Sequence, residues 1–500
     1  MKNYKQFFKG KKITVMGLGI LGRGLGYTKF LAECGADLIV TDLKTKEQLK
    51  ASVEAIKNYE PARPHDSSGA GGLRIKDKNS KNPVKSLRDH GAKVKFVLGE
   101  HRLENFKDRD MIIKSAGVPL DSIYIAEAKK NNIPVEMDVS LFAKCAPGVM
   151  IIGVTGTRGK SMTTTLIFEI LKRNEKFLSS SAKATAGRGK RNVYLGGNLR
   201  GVATLPLLKK VKDGDILVCE LDSWQLQGFG EAKLSPHISV FTTFMPDHMN
   251  YYSSTKFTTS KAMERYFSDK ANIFKFQKKG DILIIRPGMK KLINKNEIKG
   301  KLIVIDKKDV ESWKFNVPGI HHRENMACAV ATAQVLGVPM EAIKKSIEKF
   351  KGLEGRLQLL KIYKGIKIYN DNNATTPGAT IAGIEALVSP RQGLGGKKIV
   401  LICGGSDKNL PLGDFVKVIN KYCKAVIFLE GSGTEKLIKN YKLPITNEIG
   451  KDLKDVIQKA IKLAKKGDTI LFSPAFASFG MFNNEYERND LFMKIVKKVK

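Results

Sequence analysis

Short apolar runs that end in glycine or polar residues recur along the whole chain, with helical patterns between them. Examples are the runs in "KITVMGLG", "VMIIGVTG", "KIVLICGG" and "DTILFSPA". Such strands, alternating with helices, are typical of parallel sheets whose faces are covered by helices and whose functional loops lie at the strands' carboxyl ends. The pattern predicts an α/β protein with three mainly parallel sheets.

A length of 500 residues also suggests about three domains. We predict a Rossmann-like domain at 1–147, a central P-loop ATPase-like domain at 148–352 and a second Rossmann-like domain at 353–500. Residues 61–82 are rich in Pro, Gly, Ser and Lys, which indicates an exposed insertion. Residues 253–262 resemble an additional loop.

The net charge of +38 arises from 87 basic and 49 acidic residues. A strongly basic protein attracts polyanions, including substrates with several phosphates. The lysines are scattered, and no basic tail or nucleic-acid motif stands out, so we expect no specific nucleic-acid partner. A nucleotide-binding protein associated with nucleic acid is kept as an alternative of another class.

The cysteines and the start of the chain bear on its location. The six cysteines show no CxxC spacing, which predicts reduced core residues. The start, "MKNYKQFFKGKK", has no apolar signal segment, and no apolar run is long enough to span a membrane. We expect a cytoplasmic protein and a monomer.

The stretch "GVTGTRGKSMTTT" at 153–165 follows a buried-strand pattern and precedes a helix. A glycine loop in this context binds phosphate through backbone N–H groups and the positive end of the helix. Lys160 can reach the β- and γ-phosphates of a nucleotide, and the Ser161 hydroxyl suits Mg²⁺, which prefers oxygen ligands. The general template has a glycine where Val154 stands, so the spacing departs from that of common NTPases.

A second glycine motif opens the chain. Gly17, Gly19 and Gly22 follow the first strand pattern, and Asp42 ends the second. Alone, this motif is typical of a dinucleotide site.

The loop "GVTGTRGKS" resembles the ATP loop of the Mur ligase family. Further stretches resemble motifs of that family in the same order: "GGNLRG", "CELDSWQLQGF", "TTFMPDHMNYY", "SDKANIF", "GIHHRENMACA", "GLEGRLQ", "YNDNNATTP", "LICGGSDK" and "SPAFASFGMFNNEYERNDLF". The resemblance covers nearly the whole chain. It implies an ATP-dependent amide ligase that phosphorylates a carboxylate, after which an amine displaces phosphate from the acyl phosphate.

Within the family, the first domain and "SPAFASFG" are most similar to ligases that add D-glutamate to UDP-N-acetylmuramoyl-L-alanine in peptidoglycan precursor synthesis. The resemblance therefore implies that the first domain holds UDP rather than NAD. Another muramyl ligase, or a polyglutamate-forming enzyme in which "TGTRGKS" also occurs, is kept as an alternative. An inactive homologue is a further alternative, and the retained Lys160, Glu220, His248 and Lys270 argue against it.

The resemblance also implies site residues. Those implied for ATP are Gly156, Thr157, Arg158, Gly159, Lys160, Ser161, Met162, Asn325, Arg356 and Asp371. Those implied for the UDP substrate are Gly19, Ile20, Leu21, Asp42, Gly117 and Asn198, and those for the amino acid are Thr375, Lys408 and Ser478. The implied catalytic residues are Lys160, Glu220, His248 and Lys270. A pair of Mg²⁺ ions is implied, with Ser161, Glu220, His248 and a CO₂-derived carbamate on Lys270 as ligands.

Two departures from the family pattern lie near the implied ATP and metal residues. His322 replaces an asparagine in "GIHH". Asp222 replaces a serine beside Glu220, where it either adds charge to the magnesium site or caps the next turn.

Other departures concern the amino acid. Asn373 stands where the family has a lysine, which removes one cationic contact. Glu485 and Tyr486 occupy the region where an aromatic residue packs over D-glutamate, and Tyr486 is a candidate substitute. These changes put the amino-acid specificity in question more than the reaction type. The glycines of "GLEGR" (352–356) make this segment our candidate for a hinge between domains.

Overall fold

The computed structural model describes residues 3–20, 22–58, 93–178, 191–247, 249–252, 259–388 and 397–499. Leu21, His248 and the predicted insertion at 61–82 lie outside these ranges. The chain forms two compact units, one of Met1–Asp306 with Cys328–Met340 and the other of Lys307–Ala327 with Glu341–Lys500. The domain boundaries given above stay a prediction.

The first unit contains two fully parallel sheets. The strands of the first are β1 (Lys12–Met16), β2 (Asp37–Asp42), β3 (Lys93–Leu98), β4 (Met111–Lys114) and β5 (Val135–Glu136), in the order β3-β2-β1-β4-β5. The helices of this region are α1 (Tyr4–Phe8), α2 (Arg23–Glu33), α3 (Lys50–Lys57), α4 (Ile123–Lys130) and α5 (Asp138–Cys145). This is the doubly wound order, in which ligands bind outside the strand ends where the order reverses.

The second sheet has the order β11-β10-β9-β6-β8-β7. Its strands are β6 (Met150–Thr155), β7 (Val193–Gly197), β8 (Ile216–Glu220), β9 (Ile238–Phe241), β10 (Ile282–Ile285) and β11 (Lys301–Val304), all parallel. The helices are α6 (Lys160–Arg173), α7 (Glu175–Leu178), α8 (Ser223–Glu231), α9 (Met249–Tyr252), α10 (Thr259–Ala271) and α11 (Ile320–Val335), the last of which runs through both units. Since β6 lies between β8 and β9, the loop after β6 meets the loops after both neighbours.

The second unit contains one mixed sheet of order β12-β13-β17-β14-β15-β16, in which only the edge strand β12 is antiparallel to its neighbour. Its strands are β12 (Gln358–Tyr363), β13 (Ile366–Asn370), β14 (Ile399–Gly404), β15 (Cys423–Leu429), β16 (Thr446–Gly450) and β17 (Thr469–Phe472). The helices are α12 (Met340–Glu348), α13 (Pro377–Val388), α14 (Gly413–Tyr422), α15 (Ser432–Asn440), α16 (Leu453–Leu463) and α17 (Glu485–Lys498).

The core explains the sequence pattern. Every residue of β8, β9, β14 and β17 is buried, as expected of strands covered on both faces. All six cysteines are buried and unpaired, as predicted. The α/β class with mainly parallel sheets is confirmed. Across the described part of the chain, we find no helix with the length and apolarity needed to cross a membrane.

Strand β8 ends at Glu220, and helix α8 begins at Ser223 because the Asp222 side chain accepts a hydrogen bond from the Gln225 N–H, as a helix cap does. One local prediction needs correction. Helix α10 begins at Thr259, so the end of the predicted additional loop at 253–262 is helical.

Candidate active site

The loop after β6 is shaped by contacts with the segment that follows β9. The N–H groups of Thr157 and Arg158 donate to the carbonyl and the hydroxyl of Thr243, at 2.7 and 2.8 Å. Gly156 has φ +142°, and a Cβ there would lie 2.1 Å from Thr242 Oγ1, so only glycine fits. The loop then enters α6 through Gly159, whose backbone is left-handed. The first turn of α6 contains Lys160, Ser161 and Met162, where helix N–H groups have no intrahelical acceptors and favour phosphate.

Two lysines converge on the Gly156 carbonyl. Lys160 Nζ donates to it at 2.9 Å, and Lys270 Nζ, from α10, donates at 3.1 Å. Lys270 is 1% exposed and lies over the Tyr266 ring. Burial and the Lys160 charge hold the pKa of Lys270 well below its ordinary value, against Asp222, Asp247 and Asp269, which raise it. The structure therefore brings a buried lysine with a depressed pKa against the phosphate loop.

Glu220 ends β8 beside this loop. It is 4% exposed, and its Oε2 has no hydrogen-bond partner among the described residues. Asn198 lies next to it: its N–H donates to the Glu220 carbonyl at 2.7 Å, and its side-chain amide donates to Glu220 Oε1 at 3.5 Å. A buried carboxylate oxygen without a donor suits a bound cation.

Asp222, which departs from the family pattern, and Arg158 of the phosphate loop both have protein partners. Asp222 is the cap of α8, as described above. Arg158 Nη1 lies 3.0 Å from Asp247 Oδ2 and ties the phosphate loop to the segment before residue 248. This ion pair gives Arg158 a structural role that its position in the motif did not indicate.

The predicted metal set is only partly described. His248 lies outside the described ranges. Among the residues that are described, no three His, Cys, Asp or Glu side chains are grouped closely enough to hold a metal ion. The remaining predicted ligands are Glu220, Ser161 and Lys270.

The predicted UDP-substrate residues of the first sheet lie at its carboxyl edge. Asp42 Oδ2 accepts from the Gly19 N–H and Oδ1 from the Lys44 N–H, both at 2.9 Å, so Asp42 fixes the glycine turn. The Ile20 side chain is 50% exposed. Gly117 lies in the turn after β4, the strand beside β1. Leu21 is outside the described residues.

The predicted ATP residues of the second unit are largely buried. Asp371 accepts from the Leu357 N–H at 3.0 Å and from the Ser473 hydroxyl at 2.9 Å. Burial raises its pKa to about 7, against these hydrogen bonds and the Arg356 charge. The Asn325 amide lies 3.5 Å from His322 Nδ1, so the histidine that replaces the family asparagine contacts a residue predicted for ATP.

The predicted amino-acid residues meet in one pocket of the second unit. The cavity has a volume of about 260 Å³, and it is lined by Arg356, Asn373, Thr375, Lys408, Ala477, Ser478, Phe479, Glu485 and Tyr486. Lys408 Nζ donates to Thr375 Oγ1 at 3.0 Å. Three separate loops thus bring Thr375, Lys408 and Ser478 together with Arg356, which was predicted for ATP.

Sequence reasoning missed the residues that support this pocket. Arg488 is fully buried, and it donates to the Asn372 side chain at 2.8 Å and to the Asn372 carbonyl at 3.0 Å. The Asn489 amide donates to the Glu354 carboxylate and accepts from Asn370 at 2.9 Å. The sequence offered one sign of these supports: α17 is an amphipathic helix, yet an arginine and an asparagine stand among its buried positions.

Comparison with family models places two domains on this chain. The Mur ligase middle domain matches residues 154–313, and the Mur ligase glutamate ligase domain matches residues 355–476. The first match contains the phosphate loop, Glu220 and Lys270, and the second contains four of the nine residues that line the pocket of the second unit.

Curated relatives match over nearly the full length. The UDP-N-acetylmuramoylalanine–D-glutamate ligase of Roseiflexus sp. (strain RS-1) is 31% identical, with 98% of each chain covered. The enzyme of the same name from Borreliella afzelii (strain PKo) is 30% identical, again with 98% of each covered.

Among solved structures, the UDP-N-acetylmuramate–alanine ligase of Thermotoga maritima matches with a TM-score of 0.56 and 17% identity, over 98% of this chain and 100% of that one. The MurF ligase of T. maritima, solved in complex with ADP, matches with a TM-score of 0.51 and 18% identity, over 78% of this chain and 96% of that one. At these identities the likeness shows the shared fold.

Proposed function

The chain belongs to the Mur ligase family, and we propose that it joins D-glutamate to UDP-N-acetylmuramoyl-L-alanine, with conversion of ATP to ADP and phosphate, in the synthesis of peptidoglycan precursors. The observation that carries the proposal is the convergence of Lys160 and Lys270 on the Gly156 carbonyl, with the buried Glu220 at the end of the neighbouring strand β8. Full-length relatives with the D-glutamate ligase name support the choice of substrates.

The chemistry begins with the carboxylate of the UDP-linked substrate. That carboxylate attacks the γ-phosphorus of ATP, and ADP leaves. The amine of D-glutamate then attacks the acyl carbon, and phosphate leaves with the oxygen it gained. Because both steps bring anions together, they need fixed positive groups, which Lys160 and the N-terminus of α6 supply.

Residues at the loop would hold the metal. Ser161, Glu220 and, by resemblance, His248 would hold Mg²⁺, together with a carbamate on Lys270. The buried Glu220 Oε2 without a donor fits a cation. Bound Mg²⁺ neutralises phosphate charge during transfer. Burial of the Lys270 amine at the loop supports the carbamate, since CO₂ adds only to a neutral amine.

The finer assignments follow the family. We propose that Gly19, Ile20, Leu21, Asp42, Gly117 and Asn198 contact the UDP substrate. Asn325, Arg356 and Asp371 contact ATP, and Thr375, Lys408 and Ser478 contact D-glutamate, for whose carboxylates a cation and hydroxyls are suitable partners. A cytoplasmic monomer without a specific nucleic-acid partner completes the proposal.

The proposal is tested by phosphate release with a panel of amino acids and UDP precursors. We expect release with UDP-N-acetylmuramoyl-L-alanine only when D-glutamate is present. Release with L-alanine and UDP-N-acetylmuramate, or with a diamino acid and a longer precursor, would assign the chain to another branch of the family. Binding to DNA is expected to fade steeply with salt.

The carbamate has its own test. Lys270→Ala should abolish phosphate release, and added short carboxylates should partly restore it. Carbon-13 bicarbonate should give a carbamate signal in the NMR spectrum of the unsubstituted protein but not of the variant. Lys275→Ala, which changes an exposed lysine in the turn after the same helix, is the matched control. Normal turnover by Lys270→Ala would refute this role.

A further inference from the structure

The amino-acid pocket of the second unit contains a carboxylate that the family pattern does not provide. Among the described residues that line this pocket, Glu485 alone is acidic, and it shares the cavity with Lys408 and Arg356. An aromatic residue is expected in this region by family resemblance, so the acid is a departure at the place where the amino acid would bind.

The backbone of Glu485 is held firmly in place. Glu485 is the first residue of α17, and the preceding Asn484 caps this helix by accepting from the N–H groups of Tyr486 and Glu487, both at 3.0 Å. The Asn372 amide donates to the Glu485 carbonyl at 2.9 Å. Asn372 is itself held by the buried Arg488, as described above. The network therefore fixes Glu485 at the pocket rather than leaving it on a loose loop.

The side chain of Glu485 has no hydrogen bond or ion pair within the described parts of the chain. The buried Arg488 guanidinium donates to Asn372 instead, although the Glu485 charge raises the Arg488 pKa and opposes the effect of burial. Lys408 and Arg356 line the same cavity, but no ion pair joins either to Glu485. A carboxylate placed in this way can receive a cationic group from a ligand.

A free amino acid carries such a group. D-glutamate has two carboxylates, which suit Lys408, Thr375 and Ser478, and one ammonium, which suits an acid. We infer that Glu485 binds the α-ammonium group of the incoming amino acid and so orients the nitrogen, which becomes the nucleophile once it has lost a proton. The inference rests on the proposed function, because it takes this pocket as the amino-acid site.

The test compares D-glutamate with glutarate, which has the same two carboxylates and no amine. In Glu485→Gln we expect the KM for D-glutamate to rise roughly 10- to 100-fold, the effect of losing one charged hydrogen bond. Inhibition by glutarate should stay unchanged or become stronger, since a repulsive charge is removed. The KM values for ATP and the UDP substrate should not move, and Glu485→Asp should restore part of the affinity for D-glutamate.

Glu487→Gln is the matched control. Glu487 lies in the same first turn of α17. Its carboxylate, however, accepts hydrogen bonds from the backbone N–H and from the side-chain amide of Asn483, both at 2.8 Å. We expect its KM for D-glutamate to equal that of the unsubstituted protein. Acidic residues in the first turn stabilise a helix, so either substitution could lower the stability of the fold. Thermal unfolding of both variants checks for this effect.

Two results would overturn the inference. Equal weakening of D-glutamate and glutarate would show that Glu485 acts through the support of Arg488 and the pocket, and an unchanged KM for D-glutamate would exclude a contact with the substrate. Absence of turnover by the unsubstituted protein with D-glutamate would reject the proposed function instead. The test would then be repeated with the amino acid that does support turnover and with its deamino analogue. Glu485→Gln should again raise the KM for the amino acid without weakening inhibition by the analogue.

Discussion

The phosphate loop of the first unit and the amino-acid pocket of the second unit are built in opposite ways. Lys270 and Glu220 are almost completely buried, and the loop is fixed by hydrogen bonds to the segment after β9. In the pocket, Lys408 is exposed and the Phe479 side chain is 62% exposed. Chemistry on phosphate anions needs preorganised charge in a site shielded from water, whereas an amino acid must enter and leave.

The two regions also differ in how well they keep the family pattern. The phosphate loop matches the family motif, and its Arg158 pairs with Asp247. Asp222, which replaces a serine of the family pattern after β8, caps α8. The pocket carries the substitutions at Asn373 and Glu485. Under the proposed function, the reaction type depends on the first unit and the choice of amino acid on the second.

The largest expected effect falls on the buried region. Lys160→Met should lower amino-acid-dependent phosphate release at least about 10³-fold, since it removes a fixed charge that stabilises transferring phosphate. Lys172→Met, which changes an exposed lysine of the same helix α6, should leave the rate unchanged. If Lys160→Met kept even a tenth of the rate, the loop would not be the region on which turnover depends most, and the contrast between the two regions would fail.

Glu220→Gln should lower turnover about 10²-fold or more and weaken the dependence of the rate on Mg²⁺. Its melting temperature should not fall, because the change removes a charge whose Oε2 has no described partner. The control is Glu231→Gln at the half-exposed end of α8. Normal activity with a lower melting temperature would mean that Glu220 serves the fold instead.

Asp371→Asn tests a buried group of the second unit through stability. The pKa of Asp371 is raised to about 7 by burial. The folded protein therefore holds a proton between about pH 4 and pH 7 that the unfolded chain releases, so the contribution of Asp371 to stability falls as pH rises through this window, by up to about 4 kcal/mol.

Asparagine does not titrate, so the urea midpoint of Asp371→Asn relative to the unsubstituted protein should increase from pH 5 to pH 8. Asp414→Asn, which changes an exposed carboxylate, should show no such trend. If the difference in urea midpoint between Asp371→Asn and the unsubstituted protein stayed constant with pH, the raised pKa of Asp371 would be contradicted.

The smallest effect is expected at the exposed pocket. Thr375→Val removes the hydroxyl that accepts from Lys408, and the net value of one hydrogen bond predicts a rise of about 3- to 10-fold in the KM for D-glutamate. The kcat should change less than the KM. Thr446→Val on the edge strand β16 is the control. A loss of kcat as large as that of Lys160→Met would remove the distinction between the two regions.

The sequence predicted the phosphate loop well because its parts are contiguous. A buried strand, a glycine turn and a helix follow one another within 150–165, so local pattern and chemistry coincide. The sheets were predictable for the same reason, since each buried strand is a continuous apolar run.

The supports of the pocket could not be predicted in this way. Arg488 and Asn372 are 116 positions apart in the chain, and only the folded sheet brings them together. The ion pair of Arg158 was not predicted for the same reason, because its partner Asp247 lies 89 positions away. Pairings of this kind depend on tertiary contacts, which neither periodicity nor local motif spacing reports.

The most direct test of the account follows an oxygen atom. UDP-N-acetylmuramoyl-L-alanine labelled with oxygen-18 in its carboxylate is incubated with ATP, Mg²⁺, D-glutamate and the protein, and the released phosphate is analysed by mass spectrometry. If the carboxylate is phosphorylated by ATP at the loop after β6, each released phosphate carries one labelled oxygen, and the D-glutamyl product forms in equal amount. Unlabelled phosphate, or phosphate released without that product, would contradict the account.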